Sequence, residues 1–470
     1  MRTRVLAILF GAAALTGHGS ASTADNGTSL PAYLAGSDLP AAAEAERMRR
    51  LRRDYGLSAD EMLAKLKRDM PGVTSGHLER WTREGAIQWL QIDGETRYFR
   101  REPSNLFRLS AEARSMRGDS QTTSPAPVAD PSLRDTARFR LTDHIAQALR
   151  AAAEESTPTV RPVTMRVSHV IRVKPGVVPA GETIRCWMPF PQDYRHQRGG
   201  ADLRTSPAGH RLAPSGVPMR TVYMEQPSAG DTGETVFRAE YTYVSADYVA
   251  PGVEGRALPA GWDTGAEAAP ADLESRPPHL DLTPEVRALA ASIVGGETDP
   301  ARKARLIWLW IDENIRYVSE MEYSVMPRIL DKVMAERRGD CGVHALMFIG
   351  LCRAAGVPAR WQSGWVTRPG GWNMHDWAEF HGGPQLGWVP ADPSAGVRKD
   401  SEDAAVRHFF FGGLDAYRMI ANLDYARPFD PPKQHWPSDP IDNQRGEVEW
   451  SGGNLYYDQW DYEVRATRQP

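Results

Sequence analysis

A cysteine directly follows an aspartate at the start of an apolar helical pattern, in the stretch RRGDCGVHALMFIGLCRAAG. Asp340 is a good N-cap residue, so Cys341 falls in the first turn of the predicted helix. Unpaired backbone N–H groups and the positive end of the helix dipole stabilise an anion there, so we expect a lowered thiol pKa. Because the thiolate is the nucleophilic form, this position predicts a reactive cysteine.

The cysteine count supports a special role for one thiol. The chain has three cysteines, Cys186, Cys341 and Cys352, so at least one is left out of any internal disulfide. Cys186 lies in a predicted strand and Cys352 lies inside the same helix as Cys341, and both are predicted to be core residues. Their spacings contain no CxxC and no zinc pattern.

A histidine and an aspartate downstream have the spacing of a base and its orienting acid. HDWAEFH alternates as a strand does, with His375 on one face and Asp376 on the other. GWVPADP reads as the second strand of a hairpin. If the hairpin folds symmetrically about the Gly383–Pro384 bond, His375 lies opposite Asp392, with Cβ atoms within about 5.5 Å. The pattern therefore predicts a Cys–His–Asp constellation.

Each of these residues also has an ordinary interpretation. A cysteine at a helix start can simply pack, a strand histidine is often a satisfied polar group, and an aspartate before proline often caps a turn. His344 and His381 compete for the role of base, and Glu379 is either a supporting residue or an ordinary polar contact. Order, spacing and hairpin register together favour catalysis by Cys341, His375 and Asp392.

Three blocks, GDCGVHALMFIGLCRAAGVPAR, HDWAEF and GWVPADPS, resemble the core of the transglutaminase-like superfamily, which has a papain-like arrangement. The resemblance covers roughly residues 285–400 and maps the nucleophile to Cys341, the base to His375 and the orienting acid to Asp392. It implies an α+β fold in which the helix bearing the cysteine packs on an antiparallel sheet. GETIRCWMPFPQ, upstream, resembles the β-domain that precedes this core in some secreted bacterial members.

The resemblance also implies a mechanism through an acyl-thioester. The thiolate attacks an amide or related carbonyl, and the backbone N–H of Cys341 helps to hold the oxyanion. A second oxyanion donor is expected upstream of the cysteine, where Trp310 and Tyr323 are both available. We expect no metal and no cofactor, because no acidic loop has the pattern of a calcium site.

Three functions are compatible with these residues. We favour a hydrolase, a cysteine peptidase or amidase acting on a protein or peptide, because no feature indicates a lysine-accepting groove. The alternatives are a protein-glutamine acyltransferase that forms cross-links, and a non-catalytic binding scaffold. The intact triad weighs against the scaffold.

The rest of the chain divides into predicted segments around this core. A basic start, the apolar run VLAILFGAAALTG and small residues afterwards predict a cleaved signal peptide, with cleavage after Ala21 or Ala24. The next predicted segments are a unit of helices and a hairpin at residues 25–114 and a Ser/Pro-rich linker at residues 115–135. They are followed by a helix with a β-sandwich at residues 136–260, the core at residues 280–400 and an aromatic-rich extension at residues 401–470. The extension either enlarges a sheet or walls a groove.

Composition limits the possible partners and location. The chain is 41% hydrophobic and 25% charged, which excludes wholesale disorder, and its net charge of −4 with interspersed signs argues against nucleic acid. The helix–helix–hairpin order of the N-terminal segment resembles a winged helix, but export favours a structural domain. We therefore expect a secreted or periplasmic protein without membrane insertion after signal cleavage; the oligomeric state stays open.

Overall fold

The computed structural model describes residues 22–23, 29–35, 39–118 and 139–469. The predicted signal peptide, residues 1–24, lies outside this part of the chain except for Ser22 and Thr23, and so does the predicted linker from residue 119 onward. Within the described ranges, no helix is both long enough and apolar enough to cross a bilayer. The architecture is α+β, with helices packed on several sheets that are mainly antiparallel.

The N-terminal part combines helices with a small four-stranded sheet in the order β1-β2-β3-β4. Its elements are β1 (Ser22–Thr23), β2 (Ser29–Leu30), α1 (Ala41–Asp54), α2 (Ala59–Asp69), α3 (Ser75–Arg83), β3 (Trp89–Ile92), β4 (Glu95–Tyr98), α4 (Ser104–Leu109) and α5 (Ala111–Arg117). The hairpin β3–β4 turns at Asp93 and Gly94, which both have positive φ, as the Asp-Gly pair predicts. Helix α5 continues into the predicted linker as far as Arg117.

A β-sandwich follows. Its elements are α6 (Leu141–Glu155), β5 (Thr159–Val173), β6 (Thr183–Pro189), β7 (Gln197–Ser206), β8 (Arg211–Leu212), β9 (Thr221–Pro227) and β10 (Thr235–Val249). Strand β10 pairs with β5 and β7, and β6 pairs with β9, all antiparallel. The two sheets share one hydrophobic core, in which Cys186 is fully buried. This cysteine is the core residue that the sequence predicts.

The segment with the predicted triad alternates helices with a four-stranded sheet. Its elements are α7 (Pro284–Val294), α8 (Pro300–Asn314), β11 (Arg316–Tyr317), α9 (Ile329–Glu336), β12 (Arg338–Gly339), α10 (Cys341–Ala354), β13 (Ala359–Val366), β14 (Asn373–His381) and β15 (Trp388–Ala391). Helix α10 is buried along nearly its whole length and packs on β13 and β14. Ala378 and Phe380 of β14 join its core, whereas Trp377 belongs to a separate cluster on the opposite face. The predicted alternation of β14 is therefore confirmed.

The C-terminal part adds strands to both sheets of the sandwich and to the sheet that carries β14. Its elements are α11 (Ala404–Arg407), β16 (Gly413–Leu414), β17 (Arg418–Asn422), β18 (Glu447–Trp450), β19 (Gly453–Leu455) and β20 (Trp460–Arg468). Strand β17 pairs with β13, β18 with β6 and β20 with β5. Of the two predicted roles, sheet extension is thus observed, and it ties the sandwich to the core.

Burial of α10 predicts which leucine matters most for stability. Leu346 on α10 is 0% exposed, whereas Leu306 on α8 is 38% exposed. We expect Leu346→Ala to lower the free energy of unfolding by about 2–5 kcal/mol, because it leaves a cavity in a packed core. Urea denaturation followed by tryptophan fluorescence measures this loss. Leu306→Ala is the matched control, and equal losses in the two variants would contradict the packing described here.

Candidate functional site

Cys341 is the first residue of α10, and its neighbours are acidic. Asp340 caps the helix, because its Oδ1 accepts a hydrogen bond from the backbone N–H of Val343 at 3.2 Å. The Cys341 side chain is largely buried, and its Sγ donates to Oδ2 of Asp376 on β14 at 3.2 Å. The helix start thus holds the thiol against a carboxyl group.

These neighbours change the expected ionisation of the thiol. Burial raises the pKa of Cys341, and the carboxyls of Asp376 and Asp340 raise it further. A hydrogen bond from the backbone N–H of Asp376 acts in the opposite direction. The expectation of a lowered thiol pKa was therefore wrong, because the helix N-terminus is outweighed by burial and two carboxyls.

The predicted base and acid meet directly. Nε2 of His375 lies 2.6 Å from Oδ2 of Asp392, and this carboxyl is fully buried. Its other oxygen, Oδ1, accepts hydrogen bonds from Ser394 N, Ser394 Oγ and Ala395 N at 3.1, 2.9 and 2.8 Å. Burial alone would raise the pKa of Asp392, but His375, a nearby arginine and these donors hold it well below its ordinary value. Asp392 is therefore an ionised group that can orient the imidazole.

The hairpin register differs from the predicted one. Ala378 pairs with Ala391, so the centre of the turn lies one residue beyond the Gly383–Pro384 bond. The strand position directly opposite His375 is therefore two residues away from Asp392, and the predicted direct pairing was wrong. A shift of two positions keeps every side chain on its face, because the side-chain period of a strand is two. His375 consequently reaches Asp392, just past the end of β15, from a diagonal position.

An arginine that sequence reasoning missed completes this part of the site. Nη1 of Arg418, on β17, lies 2.7 Å from Oδ2 of Asp392, and its Nε donates to Oδ2 of Asp415 at 3.1 Å. Arg418 is fully buried, and Arg368 supports Asp415 from the other side. A charged residue inside the apolar run YRMIAN is a sequence signal for a buried ion pair, and of its two partners Asp415 lies three residues earlier whereas Asp392 lies just after β15.

The structure brings two pairs together rather than one continuous triad. His375 contacts Asp392, and Cys341 contacts Asp376. Among the described residues, no hydrogen bond joins Cys341 to His375. His375 and Asp376 are consecutive on β14, so the imidazole and the group that contacts the thiol occupy adjacent positions of one strand.

The two candidate oxyanion donors lie in different places. The hydroxyl of Tyr323 donates to Oδ1 of Asp340 at 2.7 Å and lies 3.4 Å from Oδ2 of Asp376. Trp310 lies under the guanidinium of Arg337, 5.0 Å from its ring centre. Of the two, Tyr323 therefore lies at the carboxyl groups that surround the thiol.

The competing residues have other partners. His344 is buried, with Nδ1 2.7 Å from the carbonyl oxygen of Asp340 and Nε2 3.4 Å from that of Ile315. Glu379 is buried and accepts a hydrogen bond from the Tyr194 hydroxyl at 2.6 Å, which links the core to the sandwich. His381 packs edge-on against a tryptophan of the neighbouring strand. None of these three side chains contacts Cys341 through a hydrogen bond in the described part of the chain.

A cavity of about 320 Å³ opens beside the start of α10. Tyr317 and His344 line it near the helix, Ser394 lines it near Asp392, and Arg108 of the N-terminal part forms another wall. This volume lies at the small end of the range for ligand pockets, about 300–1,000 Å³. In the described ranges, no group of three or more His, Cys, Asp and Glu side chains is placed to hold a metal ion.

Comparisons with known proteins agree with the resemblance noted in the sequence. Residues 287–393 match the family model described as the transglutaminase-like superfamily. An uncharacterised protein of Haemophilus influenzae is 29% identical over 192 residues, which are 33% of this chain and 49% of that relative. The chain thus spans about half the length of the curated relative that it matches.

Two solved structures are also similar in part. A candidate cysteine protease from Cytophaga hutchinsonii is 16% identical, and the similarity covers 66% of this chain and 92% of that one, with a TM-score of 0.42. The periplasmic domain of TgpA from Pseudomonas aeruginosa is 14% identical, with coverage of 58% and 94% and a TM-score of 0.24.

The contacts of Arg418 predict how the pKa of His375 is set. Burial lowers this pKa, Asp392 raises it, and the positive charges of Arg418 and Arg368 lower it further. We expect Arg418→Met to raise the pKa of His375, because a nearby cation is removed. Arg418→Lys keeps a positive charge, so its His375 pKa is expected to stay close to that of the parent protein.

NMR titration of the His375 ring measures both values. Arg302→Met, at a side chain that is 69% exposed, is the control for arginine removal. An unchanged or lowered His375 pKa in Arg418→Met would contradict this account of the site.

Proposed function

Since residues 287–393 of this chain form a transglutaminase-like core, we propose that the protein is a cysteine-dependent hydrolase that cleaves amide bonds in a protein or peptide. Cys341 is the nucleophile, His375 is the base and Asp392 orients the imidazole. We propose further that the protein is exported, on the basic, apolar and small-residue pattern of residues 1–24.

One observation carries this proposal above the others. The imidazole of His375 is held by a buried, ionised carboxylate at 2.6 Å, and the next residue of β14, Asp376, whose side chain points to the other face of the strand, contacts the thiol. This carboxylate is itself held by Arg418 and by three hydrogen bonds from Ser394 and Ala395. This degree of fixation is what a base requires if it is to keep one tautomer during proton transfer.

The proposed chemistry assigns one step to each of these residues. His375 Nε2 bonds Asp392, so its Nδ1 is the nitrogen left to take the proton of Cys341. The thiolate attacks the amide carbonyl, a carbon–sulfur bond forms, and the carbon–nitrogen bond breaks as His375 protonates the leaving amine. Water then cleaves the thioester, with His375 as its base. The backbone N–H of Cys341, in the first turn of α10, supports the oxyanion.

The cavity near α10 lies next to the proposed site, but Cys341, His375 and Asp392 are not among its lining residues. The cavity beside α10 is about 320 Å³ and is bounded by the N-terminal part as well as the core. The scaffold alternative leaves the His375–Asp392–Arg418 network without a purpose.

Removal of the proposed nucleophile and base tests the assignment. We expect Cys341→Ala to abolish peptide hydrolysis, and His375→Ala to keep the thiol but reduce kcat by on the order of 10³-fold, since a positioned base is lost. Hydrolysis of a peptide library, with product mass spectrometry, measures both losses.

The matched control is Cys186→Ala, a cysteine removal in the sandwich core. It is expected to keep activity, because Cys186 is buried in the sandwich and takes no part in the site. Full activity of Cys341→Ala would refute the thiol mechanism.

The partition between water and amines decides between hydrolysis and transfer. With a labelled primary amine in excess, we expect the carboxylic acid product to dominate, because no feature of the sequence indicates a groove that admits a lysine. The ratio of acid to amide product, read by mass spectrometry, measures the partition. A predominant amide product would favour the acyltransferase alternative instead.

A further inference from the structure

The thiol of Cys341 has a carboxyl neighbour that the proposed mechanism does not use. Its Sγ lies 3.2 Å from Oδ2 of Asp376, and the Tyr323 hydroxyl lies 3.4 Å from the same oxygen. Asp376 is 1% exposed. Gly342 is required beside this contact, because a Cβ there would collide with both the Tyr323 hydroxyl and the Asp376 carboxyl. The carboxyl therefore belongs to the packed start of α10.

A glutamine from the C-terminal part fixes the orientation of this carboxyl. Nε2 of Gln444 donates to Oδ1 of Asp376 at 2.7 Å, and it also lies 3.0 Å from the carbonyl oxygen of His375 and 3.2 Å from that of Gly364. With Oδ1 held by the amide, Oδ2 is the oxygen that faces the sulfur. The contact with Cys341 is thus a defined arrangement.

The charges around Asp376 do not favour its ionised form. In the described part of the chain, no lysine or arginine lies within ion-pair distance of it. The titratable groups that face it come from β11, the turn before α9, the start of α10 and the loop before β18: Tyr317, Tyr323, Asp340, Cys341, Asp439 and Asp442. Burial raises the pKa of Asp376 to about 7, and the nearby Asp340 adds to the increase, whereas hydrogen bonding with Asp442 and Cys341 opposes it.

We propose that Asp376 is a further catalytic residue that contacts the nucleophile, and that Cys341 and His375 form a thiolate–imidazolium pair only while Asp376 carries a proton. This inference rests on the proposed function. An ionised Asp376 would place two anions about 3 Å apart in a buried site, which is unfavourable. A protonated Asp376 instead donates its O–H to the thiolate.

The proton balance of this step is simple. With Asp376 protonated, the proton of Cys341 moves from Sγ to Nδ1 of His375, and the Asp376 O–H then donates to the thiolate. When the thiolate attacks the carbonyl, this hydrogen bond is released and Asp376 keeps its proton. His375 passes its own proton to the leaving amine nitrogen. No further reactant is needed.

The pH dependence has the opposite sign to that of an ordinary thiol. As the pH rises through about 7, Asp376 loses its proton and the reactive pair is lost. A free cysteine becomes more reactive in this range, because its pKa is about 8.5. The inference therefore predicts a nucleophile that works on the acidic side of neutrality.

Alkylation of Cys341 tests this without a known substrate. The full-length protein is treated with iodoacetamide between pH 5 and pH 9, and the rate at Cys341 is read by mass spectrometry of its peptide. For the wild-type protein we expect the rate to fall as the pH rises through about 7. For Asp376→Asn, whose amide donates an N–H at every pH, the fall is expected to disappear. The variant should react about tenfold faster than the wild type at pH 8, which corresponds to one pKa unit, and at a similar rate at pH 5.5.

A matched control separates Asp376 from other buried carboxyls. Glu102, in the N-terminal part, is fully buried, and its pKa is raised by burial to about 7 as well. Glu102→Gln is therefore expected to keep the wild-type profile. If the alkylation rate of Glu102→Gln also stops decreasing with rising pH, as expected for Asp376→Asn, the effect comes from the stability of the fold and the inference is overturned.

The remaining outcomes distinguish this inference from the proposed function. If the wild-type rate rises with pH along a single thiol titration, Asp376 does not control the thiol, and this result decides even where Asp376→Asn fails to fold. The proposed function survives that result as long as His375→Ala slows alkylation of Cys341. If His375→Ala leaves the rate unchanged throughout, the proposed function fails and this inference fails with it.

Discussion

The buried carboxylate of Asp392 is the group on which the arrangement of the site depends. A charge with no exposure to water is costly unless every lone pair has a partner. Here Oδ2 meets His375 and Arg418, Oδ1 accepts three hydrogen bonds, and even the backbone oxygen of Asp392 accepts from Trp308 Nε1 at 3.0 Å. These partners come from α8, from β14 and from the C-terminal strand β17, so all three must pack if the buried carboxylate is to be stabilised as an anion.

This requirement explains why the C-terminal part is built into the core rather than appended to it. Strand β17 brings Arg418 to Asp392, and the loop after it brings Gln444 to the strand that carries His375. The same part supplies strands to both sheets of the sandwich. The N-terminal part contacts the segment before Cys341 from the other side, where Asn105 exchanges two hydrogen bonds with the backbone of Ser319 at 2.8 and 2.7 Å.

Local patterns were enough to predict the elements that carry the site, but not its electrostatics. The start of α10 at Cys341 and the alternation of β14 follow from neighbouring residues, which is why both predictions are confirmed. The predicted hairpin register was wrong by two positions, because the sequence Gly-Gly-Pro-Gln does not determine where the turn is centred. The predicted His375–Asp392 contact is still observed, because a shift of two residues leaves each strand side chain on the same face. Asp340 and Asp415 are sequence neighbours of Cys341 and Arg418, but the contacts of Cys341 with Asp376 and of Arg418 with Asp392 join separate elements, so no local signal identifies these partners.

The contrast between the two aspartates that flank the site shows what the distant residues add. Asp392 and Asp376 are both buried, and both lie beside a proposed catalytic side chain. Asp392 has an arginine and several donors, and its pKa lies well below the ordinary value; Asp376 has carboxyl neighbours and one amide, and its pKa is raised to about 7. One carboxyl is thereby a permanent anion for His375, and the other is a group that gains or loses its proton near neutrality. Environment alone separates these roles, since the side chains are identical. The family pattern therefore accounts for the predicted positions of Cys341 and His375, while the ionisation of the thiol depends on the carboxyl groups of Asp376 and Asp340 beside it.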